Sequence, residues 1–272
     1  MSRKVIFFDV DGTLVSFNGE IPQSTLQAID LAKEQGHKIF LCTGRSLTQL
    51  TGPVLQIPVD GIVGAAGACV KIGDEVVFES VIDKEQEELF LRLFEDQDIS
   101  FGVQTIDGTY TTTRGWEKTK ERFLKAGVSM EAMEANTELF KIQDDLRSLG
   151  PVEKLFYNNS PYTVDYVREQ LGDYFHVELS SFDVKDPYSG EITKEGVDKS
   201  TGMEVVLQHY GLTQQDSVAF GDGPNDLEML QYAAIGIAMG NAVQEAKDVA
   251  NYVTTDLLED GIYNGMKHFQ LI

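Results

Sequence analysis

The sequence predicts an α/β protein: a parallel-sheet core built from both ends of the chain, with an α+β domain inserted between them. Three observations support this prediction. Strand-like and helix-like segments alternate in the first third, which is typical of parallel sheets with crossover helices. The pattern becomes mixed from about residue 83, and the alternation returns after about residue 186. We therefore place the core at residues 1–82 and 184–272, and the inserted domain at 83–183.

The first part of the core begins with the apolar run Val5–Phe8, which is predicted to be a buried strand. A helix follows, with Pro22 at its start and Gly36 after its end, as helix-terminus preferences favour. Next come a predicted strand at 38–42, a short strand around Ile62, and a hairpin at 70–78 that turns at Gly73.

The spacing of apolar residues and the turn residues also predict the elements of the insert and of the second part of the core. In the insert we predict helices at 83–97, 116–125, 138–149 and 162–171, and strands at 99–104, 109–113, 152–157 and 175–179. In the returning core we predict helices at 199–210, 224–232, 243–247 and 262–269, and strands at 217–220, 234–238 and 252–254.

The chain is strongly acidic, with 22 Lys and Arg against 44 Asp and Glu and a net charge of −22. A field of this sign repels nucleic acid and anionic membranes, so neither is predicted as a partner. Cys42 and Cys69 form neither a disulfide framework nor a zinc-binding pattern. The apolar run before Asp9 is too short for a signal peptide, and no segment has the length of a membrane span, so a cytoplasmic location is expected.

Two carboxylates follow the first predicted strand. Asp9 and Asp11 are two positions apart, and strand geometry would point both to one face. Because ligands bind at the carboxyl ends of strands in open α/β sheets, the pair is a candidate site that needs a cation or a shared proton. Gly12 permits the sharp turn out of the strand. The alternative is an ordinary turn with solvated aspartates.

A second candidate follows the next strand, at Thr43-Gly44-Arg45. Thr43 offers a hydroxyl group, and Gly44 lets backbone N–H groups approach an anion closely. Taken alone, this tripeptide is more typical of a simple strand-to-helix turn.

Two further candidates lie in the returning core. Lys199 opens a predicted helix, where the helix dipole disfavours a cation unless an anion also binds there. A glycine-flanked turn with Asp222, Asn225 and Asp226 follows another strand, and its carboxylates could hold a hard cation. The alternatives are a solvated surface lysine and a capped helix start. A single parallel sheet would bring all four candidates together.

These four motifs, in this order, resemble those of the haloacid dehalogenase superfamily. Segments of the second half further resemble the Cof-type (type IIB) sugar-phosphate phosphatases, which are enzymes. The segments are Glu191-Ile192 with Gly196-Val197-Asp198-Lys199, then Ala238-Met239-Gly240-Asn241-Ala242, and Val253-Thr254 with Glu259-Asp260-Gly261-Ile262. The resemblance covers about 1–82 and 184–272.

The resemblance implies a Rossmann-like core (the HAD fold) with an inserted α+β cap of C2B type, and phosphoryl transfer through an aspartyl-phosphate. It implies that Asp9 is the nucleophile and a Mg²⁺ ligand. Asp11 would be the general acid and base, with its backbone carbonyl on the metal. Thr43 and Lys199 would hold the phosphoryl group. Asp222 would complete the protein ligands, and Asn225 and Asp226 would support the site. Gly44 belongs to the same phosphate-binding segment as Thr43.

The chain departs from the family pattern after the third core strand. Many relatives carry Asn-Gly-Ala there, whereas Ala66 stands at the position of the asparagine. We interpret this as a change in a loop that faces substrate. In the insert, a locally basic segment suggests either a solvated helix surface or cations that attract an anionic substrate; its members are Arg114, Lys118, Lys120, Arg122 and Lys125.

Three functions remain open from the sequence. The first is Mg²⁺-dependent hydrolysis of a small phosphate monoester, such as a sugar phosphate or a phosphorylated cofactor. The second is a phosphomutase with the same aspartyl intermediate. The third is a metabolite-binding protein without catalysis, which the combination of Asp9, Asp11, Lys199 and Asp222 disfavours. The expected partner is a small phosphorylated metabolite, and the chain is expected to be a monomer or a homodimer.

Overall fold

The computed structural model describes residues 3–16, 18–125, 140–180 and 186–272. It contains two compact units. The first comprises Met1–Gly44, Leu50–Glu79 and Val197–Ile272, and the second comprises Arg45–Gln49 and Ser80–Gly196.

The described residues form the following strands: β1 Val5–Phe8, β2 Lys38–Cys42, β3 Gly61–Gly64, β4 Cys69–Ile72, β5 Glu75–Glu79, β6 Ser100–Thr105, β7 Gly108–Thr111, β8 Phe140–Ile142, β9 Lys154–Asn158, β10 Phe175–Leu179, β11 Gly190–Lys194, β12 Ser217–Gly221, β13 Ile235–Ala238 and β14 Tyr252–Val253. The α-helices are α1 Gln23–Glu34, α2 Lys84–Asp96, α3 Thr113–Lys125, α4 Val164–Leu171, α5 Lys199–His209, α6 Leu227–Tyr232, α7 Gln244–Val249 and α8 Gly261–His268.

The first unit is built on an eight-stranded sheet with the order β14-β13-β12-β1-β2-β3-β4-β5. The strands from β14 to β3 are parallel, and β4 and β5 complete one edge as an antiparallel hairpin. This confirms the predicted α/β fold with a parallel-sheet core. Because β1, β2, β3, β12 and β13 run in one direction, the residues that follow them lie along one edge of the sheet.

The centre of this sheet is apolar on both faces. All four residues of β1 have no exposed surface, and β1 lies between β2 and β12. A strand that is covered on both faces needs a continuous apolar run, which is why Val5–Phe8 lacks the alternation of a half-exposed strand. Helix α1 covers part of the sheet through Ala28, Ile29 and Ala32. The rigid strands thus hold the loops that follow them.

The second unit is built on a six-stranded sheet with the order β10-β11-β9-β6-β7-β8. Its strands pair in antiparallel fashion, except that β8 lies parallel to β7. Phe90 and Phe94 of α2 pack with Leu155 and Tyr157 of β9 in its hydrophobic core. Alternation along β9 directs the neighbouring Lys154 to the other face, where it forms a buried ion pair with Glu191.

One secondary-structure prediction in this unit is wrong, and one strand of the unit was not predicted. The helix expected at 138–149 is replaced, within the described residues, by strand β8 and a short 3₁₀ turn at Leu146–Ser148. Pairing with β7 outweighs the helical spacing of the apolar residues, and the Asp144 carboxylate accepts from Thr113 N at 2.7 Å, outside any helix. Strand β11 was not predicted, because its buried Glu191 and Thr193 hide the apolar pattern of a strand.

The observed units differ slightly from the expected domain limits. The core was expected to resume at residue 184, but β11 at Gly190–Lys194 pairs with β9 and β10 in the second sheet. The second unit therefore extends to Gly196. Its role as a cap stays a prediction.

Most cations of the basic segment on α3 have acidic neighbours. Arg114 and Lys118 both form ion pairs with Asp98, at 2.7 and 3.0 Å, and Lys120 pairs with Glu117 at 2.6 Å. These are the contacts of a solvated helix surface. The side chains of Arg122 and Lys125 lie outside the described residues. Across the described part of the chain, no helix combines the length and hydrophobicity needed to cross a bilayer.

Candidate active site

Asp9 immediately follows the central strand β1. Its N–H donates to Phe220 O of the neighbouring strand β12 at 2.9 Å, which continues the sheet pairing by one residue. The residue is 5% exposed, so its carboxylate lies in a largely desolvated position. The sheet geometry therefore fixes Asp9 beside the end of β12.

Lys199 is the first residue of α5, and the turn before it is held by Asp198. The Asp198 carboxylate accepts from Ser200 N at 2.7 Å and from Thr201 N at 3.1 Å, which caps the helix. The ammonium group of Lys199 donates to Asp9 Oδ1 and to Asp226 Oδ1, both at 2.6 Å. With 1% of its surface exposed, this lysine is not the solvated side chain of the alternative interpretation.

The turn after β12 supplies the remaining carboxylates. Asp226 is fully buried, and its Oδ2 accepts from the N–H groups of Asp222 and Gly223 at 2.8 and 2.9 Å. Asp226 thus uses one oxygen to shape the turn and the other to bind Lys199. Asp222 Oδ1 accepts from Thr13 Oγ1 at 2.7 Å, which ties this turn to the loop after β1.

One oxygen from each of Asp9, Asp222 and Asp226 lies within 4.8 Å of the others. Three carboxylates with one ammonium leave a net charge of −2 when all are ionised. Burial, then the charge of Asp226, raises the pKa of Asp9 well above its ordinary value. The same two causes raise the pKa of Asp222 to about 7.

The lysine stays charged in this setting. Burial opposes its charge, but Asp226 and Asp9 outweigh burial, so the pKa of Lys199 is raised well above its ordinary value. With all three carboxylates ionised, the cluster has more negative charge than one lysine balances. A hard divalent cation would supply the missing charge, and a site of oxygen donors suits Mg²⁺ chemistry. The residues present therefore fit a divalent metal.

The other predicted site residues lie at the same edge of the sheet. Asp11 is half-buried in the turn after β1, opposite Val15. Thr43 and Gly44 follow β2, and Thr43 is 1% exposed. Asn225 is buried in the 3₁₀ turn Pro224–Asp226. The structure places these residues after β1, β2 and β12, and their individual roles stay predictions.

The loop after β3 packs between two of these segments. Ala66 N donates to Thr43 O at 3.0 Å. The backbone φ angle is positive at Ala65, Ala66 and Gly67 in succession, at 48°, 55° and 101°. A Cβ atom on Gly67 would lie 1.8 Å from Asp198 O, so the glycine permits contact with the residue before Lys199. This loop therefore connects the segments of Thr43 and Lys199.

Two polar residues of the site were not predicted from the sequence, and the direct contact made by a third was not expected. Thr13 binds Asp222, and Asn241 Nδ2 donates to Gly12 O at 2.8 Å. Asp226, expected only to support the site, directly binds Lys199. Thr13 lies four residues after Asp9 and could have been suspected from that proximity. Asn241 is 229 positions from its partner, and no local pattern points to that contact.

A family model that describes haloacid dehalogenase-like hydrolases matches residues 6–266. The chain belongs to this family. The match spans both units, including the insert. It confirms the resemblance drawn from the four motifs.

Individual relatives match over all or nearly all of the chain. YkrA of Bacillus subtilis, which carries the provisional name of a phosphatase, is 28% identical over 100% of both chains. YitU of the same organism, named a 5-amino-6-(5-phospho-D-ribitylamino)uracil phosphatase, is 26% identical over 97% of both chains. A solved sugar phosphatase of HAD subclass IIB is 27% identical, with a TM-score of 0.80 over 99% of this chain and 100% of that one. The chain is thus a phosphatase of the HAD-like hydrolase family.

Proposed function

We propose that this HAD-like hydrolase cleaves small-molecule phosphate monoesters with Mg²⁺ and forms an aspartyl-phosphate on Asp9. The observation that carries the proposal is the contact of Asp9 Oδ1 with Lys199 Nζ at 2.6 Å, beside the oxygens of Asp222 and Asp226. A buried carboxylate next to a buried cation and two further carboxylates is costly to maintain for structure alone.

In the first half-reaction the Asp9 carboxylate attacks phosphorus. A P–O bond to Asp9 forms as the bond to the ester oxygen breaks, and Asp11 gives its proton to the departing oxygen. Lys199 and Thr43 hold the transferring phosphoryl group, and Gly44 leaves its backbone accessible to the phosphate oxygens.

In the second half-reaction Asp11, now ionised, removes a proton from water as the water oxygen attacks phosphorus. The bond between phosphorus and Asp9 breaks, which releases inorganic phosphate and restores both carboxyl groups to their starting states. The half-buried position of Asp11 supports this role, because a general acid that serves two half-reactions must be reached by leaving group and by water.

Mg²⁺ would be held by the carboxylates of Asp9 and Asp222 and by the backbone carbonyl of Asp11. When bound, the ion supplies positive charge that offsets repulsion between the nucleophile and the phosphate oxygens. Asp226 would support these ligands indirectly, because its carboxylate accepts hydrogen bonds from Asp222 N and from Lys199 Nζ. Asn225, buried in that turn, contributes to binding of phosphate.

Sugar phosphates and phosphorylated cofactors are the proposed substrates. A relative at 27% identity is a sugar phosphatase, and a relative at 26% acts on a phosphorylated ribityl compound. The second unit, built on its own six-stranded sheet, is proposed as the cap that selects among them. The proposal also includes a cytoplasmic location.

Release of inorganic phosphate from a panel of phosphorylated metabolites, with Mg²⁺ or with EDTA, tests the proposal. We expect release by the wild type only with the metal, none by Asp9→Asn, and wild-type rates for Asp30→Asn, an exposed aspartate on α1. Unchanged release by Asp9→Asn would contradict the nucleophile assignment. Isomerised sugar phosphate without free phosphate would indicate a mutase.

A further inference from the structure

Asn241 lies in a tightly held turn that follows β13. Met239 N donates to Gly221 O at 3.0 Å, and Val243 N donates to Asp222 O at 2.9 Å. Gly240 N donates to Thr255 O at 3.0 Å on the other side. The backbone on both sides of Asn241 is therefore anchored to the turn that carries Asp222.

The amide group of Asn241 uses both of its ends. Its Nδ2 donates to Gly12 O at 2.8 Å, and its Oδ1 accepts from Leu257 N at 2.9 Å. Gly12 stands between Asp11 and Thr13 in the loop after β1. The side chain thus joins that loop to a distant part of the same unit.

The backbone of Gly12 has little freedom to move toward its neighbours. Its φ angle is +90°, and a Cβ atom there would lie 2.3 Å from Asp222 Oδ2. Thr13 Oγ1 binds the other oxygen of the same carboxylate. The loop is therefore pressed against Asp222 on one side, and Asn241 holds its Gly12 carbonyl.

We propose that Asn241 is a positioning residue for Asp11, the general acid and base of the proposed function, on which this inference rests. Asn241 does not touch the reacting atoms. It restrains the peptide group between Gly12 and Thr13, next to the residue whose carboxyl group must reach the leaving oxygen. Loss of this restraint lets the Asp11 carboxyl sample positions away from that oxygen.

Such a role has a chemical signature. An alkyl phosphate releases a basic alkoxide oxygen and depends on proton donation, whereas p-nitrophenyl phosphate releases a stable phenolate and depends on it weakly. A poorly placed Asp11 should therefore slow alkyl phosphate hydrolysis more than p-nitrophenyl phosphate hydrolysis. General damage to the site would slow both alike.

Three variants make the test specific. Asn241→Ala removes both hydrogen bonds of the amide. Asn241→Asp keeps an acceptor for Leu257 N but replaces the donor to Gly12 O with an oxygen. Asn264→Ala is the matched control. Asn264 Nδ2 donates to Thr255 Oγ1 at 2.9 Å and to Glu259 O at 3.2 Å, and among the described residues its side chain has no hydrogen bond to the loop after β1.

The measurement is kcat/KM for glycerol phosphate and for p-nitrophenyl phosphate, with thermal unfolding as a check that each variant is folded. For both Asn241 variants we expect kcat/KM for glycerol phosphate, divided by kcat/KM for p-nitrophenyl phosphate, to fall by a factor of about 2 to 12. This factor corresponds to the contribution of one hydrogen bond, about 0.5–1.5 kcal/mol. For Asn264→Ala we expect a change below about twofold. Equal losses on both substrates in the Asn241 variants, or no loss, would overturn the inference.

An Asp11→Asn variant separates this inference from the proposed function. It should show the same preference for p-nitrophenyl phosphate, more strongly than the Asn241 variants. If the wild type releases no phosphate, or Asp11→Asn shows no such preference, the proposed function is contradicted. The inference about Asn241 is then contradicted too, because it depends on the role of Asp11. If Asp11→Asn behaves as expected and the Asn241 variants resemble the control, the inference alone fails.

Discussion

Lys199 Nζ lies 2.6 Å from Asp9 Oδ1 and 2.6 Å from Asp226 Oδ1, in a position where all three side chains are nearly or fully buried. The lysine comes from the start of α5, and the two aspartates follow β1 and β12. A single ammonium group therefore joins three separate segments of the core. Its positive charge also balances part of the negative charge of the carboxylates, and a bound metal cation would balance the rest.

Removal of this ammonium should destabilise the metal-free protein. Lys199→Met leaves two buried carboxylates without their partner, and we expect the free energy of unfolding to fall by about 3–5 kcal/mol. Urea denaturation in EDTA measures it. Lys38→Met is the control, since Lys38 pairs with Asp60 in a partly exposed position and should lose at most about 1 kcal/mol. Equal losses in the two variants would contradict the buried role of Lys199.

The stability of the metal-free protein should fall as pH rises toward neutrality. The pKa of Asp222 is raised from 3.8 to about 7, so the folded state holds this proton more tightly than the unfolded state. Its stabilising contribution is full below pH 4 and is lost as pH rises through about 7. Urea midpoints at pH 5 and 7.5 in EDTA test this.

Asp222→Asn should show a weaker dependence of stability on pH than the wild type in this comparison. Mg²⁺ should restore stability at pH 7.5 in the wild type, because the bound ion favours the ionised carboxylates. An identical pH dependence in Asp222→Asn and wild type would contradict the assignment of the titrating group.

Gly67→Ala should impair catalysis through displacement of the Lys199 segment. The added Cβ would lie 1.8 Å from Asp198 O, so the start of α5 or the loop must move. A shift of about 1 Å at a catalytic group can cost about 10²-fold in rate, and we expect a loss of kcat of that order.

Gly211→Ala is the matched control for this experiment. It also has a positive φ, at +66°, lies just beyond the other end of α5, and has nothing within 4 Å of the place that the added Cβ would take. It should cost about 1 kcal/mol of stability and leave kcat unchanged. Steady-state rates on protein shown to be folded decide the question, and equal kcat in the two variants would count against the role of Gly67.

Ala66 should tolerate replacement by glycine far better than its neighbour Ala68. Both are buried alanines, but Ala66 has φ 55° and ψ 38°, whereas Ala68 has φ −70°. Each substitution removes one methyl group and adds the same freedom to the unfolded chain. The difference is the left-handed backbone penalty, so Ala66→Gly should be more stable than Ala68→Gly by about 1–2 kcal/mol. Equal stabilities in urea would refute this explanation.

The sequence was most informative where one local pattern decides the structure. Val5–Phe8 forms a buried strand because a continuous apolar run can be covered on both faces, and the parallel sheet then brings Asp9 to the same edge as Asp222. Both the core fold and the meeting of the charged residues follow from this.

The features that the sequence did not predict depend on contacts between residues far apart in the chain. Strand β11 contains a buried Glu191, which forms an ion pair with Lys154 of the neighbouring strand β9. The segment at Phe140–Ile142 becomes a strand through pairing with β7, against its helical spacing. The contact of Asn241 with Gly12 spans 229 positions. Such features appear only when the whole sheet is assembled.

The most direct test of the central claim is the detection of a phosphoryl group on Asp9. Asp11→Asn protein with Mg²⁺ and p-nitrophenyl phosphate should form the intermediate and hydrolyse it slowly, because the general base is absent. After an acid quench and peptic digestion, mass spectrometry should find the phosphoryl group on the peptide that contains Asp9, and none in Asp9→Asn. Rapid phosphate release without a phosphorylated Asp9 peptide, or phosphate on another residue, would contradict the account.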